Sequence, residues 1–143
     1  MRVIVDTCIW SACLRRKTPD RLLVKTLKDL IGDGRVVMTG NIRQEILSGI
    51  SSELQFEKIR SHLSAFRDIP LHEEHYELAA RYYNRCRENG IQGAHADFLI
   101  CAIASIENFL VFTTDKDFLY YQKHIPLNLW GQVREFKRTQ LED

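Results

Sequence analysis

Short runs of aliphatic residues alternate along this chain with longer segments of helical periodicity, and this alternation restricts the fold more than any other feature. The runs Val3–Val5, Val36–Met38 and Phe109–Phe112 are apolar at every position, which is typical of parallel strands buried on both faces. Segments with apolar residues at helical spacing lie at about 9–14, 19–30, 41–47, 52–65, 73–88, 95–106 and 117–122. The pattern predicts an α/β domain with a mostly parallel sheet and right-handed crossovers.

Local signals predict where some of these elements begin and end. Thr18 is the predicted N-cap of the second helix, with Pro19 at its first position. A short strand is expected at Ile69, where Pro70 stops it, and an edge strand is expected over 126–129. The sheet should therefore have four to five strands.

Length and charge set limits on the function. The 143 residues fit a single domain over residues 1–143. With 20 basic and 19 acidic residues the formal net charge is +1, so any attraction for nucleic acid must be local. The basic residues form three clusters, each also explained as a solvated helix face: Arg15, Arg16, Lys17, Arg21, Lys25 and Lys28; Arg81, Arg85 and Arg87; and Arg134, Lys137 and Arg138.

Cysteine usage and hydropathy indicate the compartment. The four cysteines form no C-x-x-C pair, which argues against a zinc ribbon or a thioredoxin-like motif and suits a reducing compartment. The first apolar run stops at Asp6, too early for a signal peptide. The longest later run, 98–104, is far short of the ~20 residues that span a bilayer. We therefore expect a cytoplasmic protein with no membrane segment.

Four acidic residues occupy positions that a parallel sheet would bring to one edge. Asp6 directly follows the first strand, and Asp115 follows the run 109–112 after two threonines. Glu45 lies about one turn into the helix that leaves the second strand. Asp97 lies in the first turn of an apolar helix, where the helix dipole should keep its carboxylate ionised. Ligands of such sheets bind beyond the carboxyl ends of the strands.

Each acid also has a structural explanation, so a metal site is predicted only from the four acids taken together. An Asp after a strand is often a turn residue, Asp97 could cap its helix, and Glu45 could be an exposed helical position. Together, however, four carboxylates raise one another's pKa unless a cation compensates. Carboxylate oxygens without paired His or Cys ligands favour Mg²⁺ or Mn²⁺ over zinc. His95, two residues before Asp97, is interpreted as a cap or packing residue.

A carboxylate-held magnesium ion is the usual apparatus of phosphoryl chemistry, because the metal activates a bound water and neutralises phosphate charge. The sequence has no G-x-x-x-x-G-K-[ST] loop and no G-x-S-x-G elbow. Hydrolysis by metal-activated water is the reaction that these residues favour.

These residues, in this order, resemble the PIN-domain family and, within it, the VapC toxins of toxin–antitoxin pairs. The matching segments are V-D-T-C-I-W at 5–10, Q-E-I-L at 44–47, A-D-F-L-I-C-A-I-A at 96–104 and T-T-D-K-D-F at 113–118. The resemblance implies a three-layer α/β/α sandwich and an endoribonuclease that uses Mg²⁺ or Mn²⁺. It also implies a homodimer and a VapB-type antitoxin partner whose C-terminal segment blocks the acidic pocket.

The resemblance assigns roles to individual acids. Asp6, Glu45 and Asp97 match the catalytic, metal-binding acids of the family. Asp115 matches a fourth position, which is Asn in many members, and Asp117 could share its role.

The resemblance also points to residues around the acids. Thr7 and Thr113 match hydroxyl positions that orient a metal-bound water or phosphate, although backbone bonding at a strand end explains both equally well. Trp10 matches an aromatic position that we interpret as core. The basic segment from Arg15 to Lys28 is the predicted RNA contact.

Two other functions are compatible with the same acids. One is a PIN nuclease outside a toxin pair, acting in RNA processing or DNA repair. The other is a receiver-like signalling domain, which also carries acids at strand ends. A receiver needs a lone Asp after a central strand and a Lys after a late one, whereas here Lys116 lies between two acids.

Overall fold

The computed structural model describes residues 1–131. The predicted basic cluster of Arg134, Lys137 and Arg138 lies outside the described residues. Among those described, three parallel strands form one sheet in the order β2-β1-β3: β1 is Val3–Val5, β2 is Val36–Val37 and β3 is Leu110–Phe112.

Each edge of this sheet is extended by a single parallel bridge. Asp68 bridges Met38 beside β2, and Leu129 bridges Val111 in β3. The strands predicted at Ile69 and over 126–129 are therefore shortened to one bridge each. At the first edge the reason is local: the Ile69 N–H still bonds the Met38 carbonyl at 3.0 Å, but the proline that follows has no N–H to continue the ladder.

Helices connect and cover these strands, and every predicted helix is present with bounds shifted by a few residues at most. They are α1 Thr7–Leu14, α2 Arg21–Gly32, α3 Gly40–Leu47, α4 Glu53–Leu63, α5 Glu73–Glu88, α6 His95–Glu107 and α7 Asp117–Tyr121.

The start of α2 corrects one prediction. Its N-cap is Asp20, not Thr18, and the Asp20 carboxylate accepts bonds from the N–H groups of Leu22 at 3.0 Å and Leu23 at 3.1 Å. One carboxylate oxygen thus satisfies two of the donors that a helix start leaves open. Pro19 lies in the preceding loop instead of in the helix.

The sheet forms the middle layer of an α/β/α sandwich, as predicted. All of β1 is buried, which requires cover on both faces. The helices pack in two groups: α1 contacts α2 and α3, and α3 contacts α4, while α5 packs along α6, which contacts β3. Trp10 is 2 % exposed and packs edge-on against Phe66 at 5.3 Å between ring centroids, so its interpretation as a core residue is confirmed. Within residues 1–131 no helix has the length and apolar character needed to cross a membrane.

Candidate metal centre

Three carboxylates meet where β3 ends and where α6 and α7 begin. Asp97 is the third residue of α6, Asp115 follows β3, and Asp117 opens α7. One carboxylate oxygen from each lies within 4.8 Å of the other two. We call these three residues the acidic triad. Asp117, a secondary candidate from the sequence, is thus part of the most compact acidic group among the described residues.

Asp6 lies beside the triad and is held firmly. It is the N-cap of α1, and its Oδ1 accepts a bond from the Thr7 N–H at 2.8 Å. Its Oδ2 accepts a bond from the Thr113 hydroxyl at 2.7 Å and lies 3.5 Å from the Cys8 thiol. The side chain is therefore both a structural cap and a carboxylate at the acidic edge, and its negative charge acts on Asp97.

Glu45 lies at the rim of this edge. It is exposed on α3, and its charge contributes to raising the pKa of Asp6. The structure therefore brings Asp97 and Asp115 together with Asp117. Asp6 is linked to Asp115 through Thr113, and Glu45 lies within electrostatic reach of Asp6.

Burial makes the charged form of these acids costly. It raises the pKa of Asp6, and hydrogen bonds from Thr113, the Thr7 backbone and Cys8 only partly oppose it. The pKa of Asp97 is raised to about 6, first by burial and then by the charges of Asp6, Asp115 and Asp117. Asp97 lies in the first turn of its helix as predicted, but burial outweighs the favourable helix dipole.

The two threonines have different roles. The Thr113 hydroxyl donates to Asp6 and accepts a bond from the Asp115 N–H at 3.0 Å, so it links two acids of the edge. Thr7 contributes its backbone N–H, and its own hydroxyl is buried without a partner among residues 1–131. The bond from the Asp115 N–H agrees with the predicted backbone role of Thr113, and the bond to Asp6 was not predicted. Its role in orienting a metal-bound water or phosphate stays a prediction.

Two residues near the triad were not predicted. The hydroxyl of Tyr121, a fully buried side chain, donates to Oδ2 of Asp97 at 2.8 Å. Burial raises the pKa of Tyr121, and the bond to Asp97 raises it further, so the phenol stays protonated. Gly93 lies against this ring: a Cβ there would be 2.8 Å from Cζ of Tyr121 and 2.7 Å from Phe98. No sequence pattern connects Tyr121 with Asp97, because 24 positions separate them.

The donor set fits a divalent cation. Carboxylate oxygens are hard ligands of the kind that Mg²⁺ and Mn²⁺ prefer. Within residues 1–131 no Lys, Arg or His forms an ion pair with these acids. The ion pairs found there are Arg43–Asp68, Arg60–Glu57 and His75–Glu107. Clustered carboxylates of this kind favour the binding of a cation, because a cation lowers their mutual repulsion.

The fold and this edge define a carboxylate-lined α/β domain, and comparison with known proteins identifies its family. The PIN domain model matches residues 3–123. The chain therefore belongs to the PIN domain family, whose members are nucleases. This match argues against the receiver-like alternative. No curated protein matched the chain significantly.

Solved structures share the fold at low sequence identity. FitAcB from Neisseria gonorrhoeae is 21% identical over 90% of this chain and 96% of that chain, with a TM-score of 0.73. VapBC2 from Rickettsia felis, bound to a promoter DNA fragment, is 18% identical over 91% of this chain and 98% of that one, with a TM-score of 0.71. DNA-bound VapBC from Salmonella typhimurium is 12% identical over 91% of this chain and 97% of that chain, with a TM-score of 0.68. At these identities the likeness establishes the fold.

Proposed function

We propose that this chain is an Mg²⁺- or Mn²⁺-dependent endoribonuclease and the toxin of a VapBC-type toxin–antitoxin pair. The observation that carries the proposal is the acidic triad, with Asp6 beside it and no basic partner among residues 1–131, in a chain of the PIN family. The similar VapBC structures favour a toxin over a PIN nuclease of RNA processing or DNA repair. A VapB-type antitoxin, a homodimer and a cytoplasmic location belong to the same proposal.

In this proposal the residues of the acidic edge have different roles in hydrolysis. The triad and Asp6 would hold the cation, which when bound supplies an activated water and neutralises phosphate charge. The Thr113 hydroxyl bonds both the Asp6 carboxylate and the Asp115 N–H, and so fixes the positions of these two residues relative to each other. Glu45 is exposed at the rim, where it can accept a proton from the attacking water.

We propose a basic groove beside α2 as the surface for RNA. It is a cavity of about 590 Å³ beside α2. Four basic residues line it, Lys17, Arg21, Lys25 and Lys28, together with one acidic residue, Asp29. The last three basic residues recur at helical spacing on one face of α2. Helix α1 starts at the acidic edge, and its eight residues span about 12 Å on the way to Lys17. Phosphates bound in the groove would therefore belong to a strand that can extend to the acids.

The nuclease proposal is tested by incubating the purified chain with total bacterial RNA and with DNA, in Mg²⁺, in Mn²⁺ and in EDTA. We expect discrete RNA fragments that require metal and disappear in Asp6→Asn, which retains a capping side chain at the start of α1. Glu77→Gln, an exposed acid of α5, is the matched control and should cleave normally. Cleavage by Asp6→Asn at the wild-type rate would contradict the assignment, and cleavage of DNA alone would favour the repair nuclease.

The groove is tested by Lys25→Glu with Lys28→Glu. Losing about two phosphate contacts should reduce the slope of log affinity against log salt by about 1.4 for single-stranded RNA. Lys58→Glu, an exposed lysine of α4, should leave the slope nearly unchanged. Half as large a change in Lys58→Glu, which reverses one charge instead of two, would mean that net charge, and not the groove, determines RNA affinity.

A further inference from the structure

The Asp97 carboxylate receives its hydrogen bond from a distant part of the chain. Its Oδ2 accepts the Tyr121 hydroxyl at 2.8 Å, and Tyr121 is the last residue of α7. The first residue of the same helix is Asp117, another member of the triad. Positions four apart lie on the same face of a helix. One turn of α7 therefore carries both a triad acid and the phenol that contacts a second one.

The Tyr121 ring has little freedom to move. It packs against Phe98 at 4.7 Å and against Phe118 at 5.3 Å between ring centroids. Gly93 lies so close to the hydroxyl end of the ring that even a methyl group there would collide with it. Because the ring is confined on these sides, the position of its hydroxyl is fixed by packing and does not depend on Asp97.

We propose that Tyr121 is a positioning residue for the cation site: its hydroxyl fixes the Asp97 carboxylate at Oδ2, while α7 sets Asp117 at the matching position. Asp97 and Asp117 thereby form a pair of defined geometry, in which the other carboxylate oxygen of Asp97 would be available to hold a cation. Hydrogen-bond partners of this kind typically contribute 10- to 100-fold to metal affinity or activity. The inference deepens the proposed function and rests on it for the identity of the cation.

Removing the hydroxyl and keeping the ring isolates this role. Tyr121→Phe retains the contacts with Phe98 and Phe118 but lets the Asp97 carboxylate rotate. Tyr120→Phe is the matched control, since Tyr120 is exposed on the same helix. We expect Mn²⁺ to bind Tyr121→Phe about 10-fold more weakly or worse, and to bind Tyr120→Phe as it binds the wild type.

The test is calorimetric titration of the full chain with MnCl₂, repeated for Tyr121→Phe in an Asp97→Asn background. A positioning role predicts that the second substitution adds no further loss once the carboxylate is gone. An equal loss in both backgrounds would assign Tyr121 a general structural role, and wild-type affinity in Tyr121→Phe would overturn the proposal. If the wild type does not cleave RNA while Tyr121→Phe still weakens Mn²⁺ binding, the nuclease proposal fails and the positioning role stands. Absence of Mn²⁺ binding by the wild type would overturn both.

Discussion

Asp6 and Asp97 lie at the same edge of the sheet but are held in different ways. Asp6 receives its bonds from Thr7 and Cys8, which follow it in sequence, and from Thr113, which directly follows the neighbouring strand β3. Asp97 receives its bond from Tyr121 at the far end of α7. The orientation of Asp6 is thus built into the sheet itself, whereas that of Asp97 depends on how a short helix docks.

The two acids also differ in electrostatics. Burial raises the pKa of both, but three hydrogen bonds oppose the rise at Asp6, while one opposes it at Asp97. Asp97 also faces the charges of three other aspartates. The comparison indicates that the negative charge of Asp97 is less well compensated by its surroundings than that of Asp6.

Displacing the ring that holds Asp97 should have the largest effect on stability. In Gly93→Ala the new methyl group would collide with Tyr121 and Phe98, and overpacking of this kind costs about 1–3 kcal/mol. Urea unfolding measures the loss. The control is Gly32→Ala at the end of α2, where a Cβ meets nothing within 4 Å and helix propensity predicts a small gain. Equal stability of the two variants would show that the ring is not confined.

The bonds that hold Asp6 can be weakened separately. Thr113→Val keeps the shape of the side chain but removes the donor to Asp6 and the acceptor for the Asp115 N–H. Leaving buried polar groups unpaired should cost about 1–2 kcal/mol. Thr114→Val, at the exposed neighbouring position, should cost much less. Comparison of their chemical denaturation curves tests whether Thr113 is the residue that secures Asp6.

How far the sequence predicts this molecule depends on the range of the interactions involved. Helix α5 matches its predicted bounds, Glu73–Glu88, because its periodicity and its Asn89 end signal are local. The start of α2 was predicted two residues early, because Thr18 and Asp20 are both good caps and only the folded chain shows which one bonds.

The range of the interactions also decides which parts of the candidate site the sequence predicts. Strand ends predict that Asp6 and Asp115 share an edge, since parallel strands bring their carboxyl ends together. Periodicity does not reveal the contact of Tyr121 with Asp97 or the confinement imposed by Gly93. Both are tertiary contacts between separate segments, and neither residue type is unusual at its position.

The pH dependence of stability gives a smaller but directional test of Asp97. Its pKa of about 6 lies above the ordinary value of 3.8, so the folded chain binds the proton more tightly than the unfolded chain. Stability without metal should therefore fall as pH rises from about 4 to about 7, by about 1 kcal/mol once solvent screening is considered. In EDTA, Asp97→Asn should lack this part of the slope. Part of the decrease in stability with rising pH will persist in this variant, because the pKa of Asp6 is raised too. An unchanged slope would contradict the raised pKa of Asp97.

The central claim is that the acidic edge holds a divalent cation. Calorimetric titration of Mn²⁺ into the wild-type chain, Asp97→Asn and Glu77→Gln tests it most directly. We expect saturable binding by the wild type and by Glu77→Gln, and binding at least about 10-fold weaker in Asp97→Asn, because the variant loses a charged ligand of the triad. Binding of Mn²⁺ by Asp97→Asn with wild-type affinity would contradict the claim and would place the cation elsewhere.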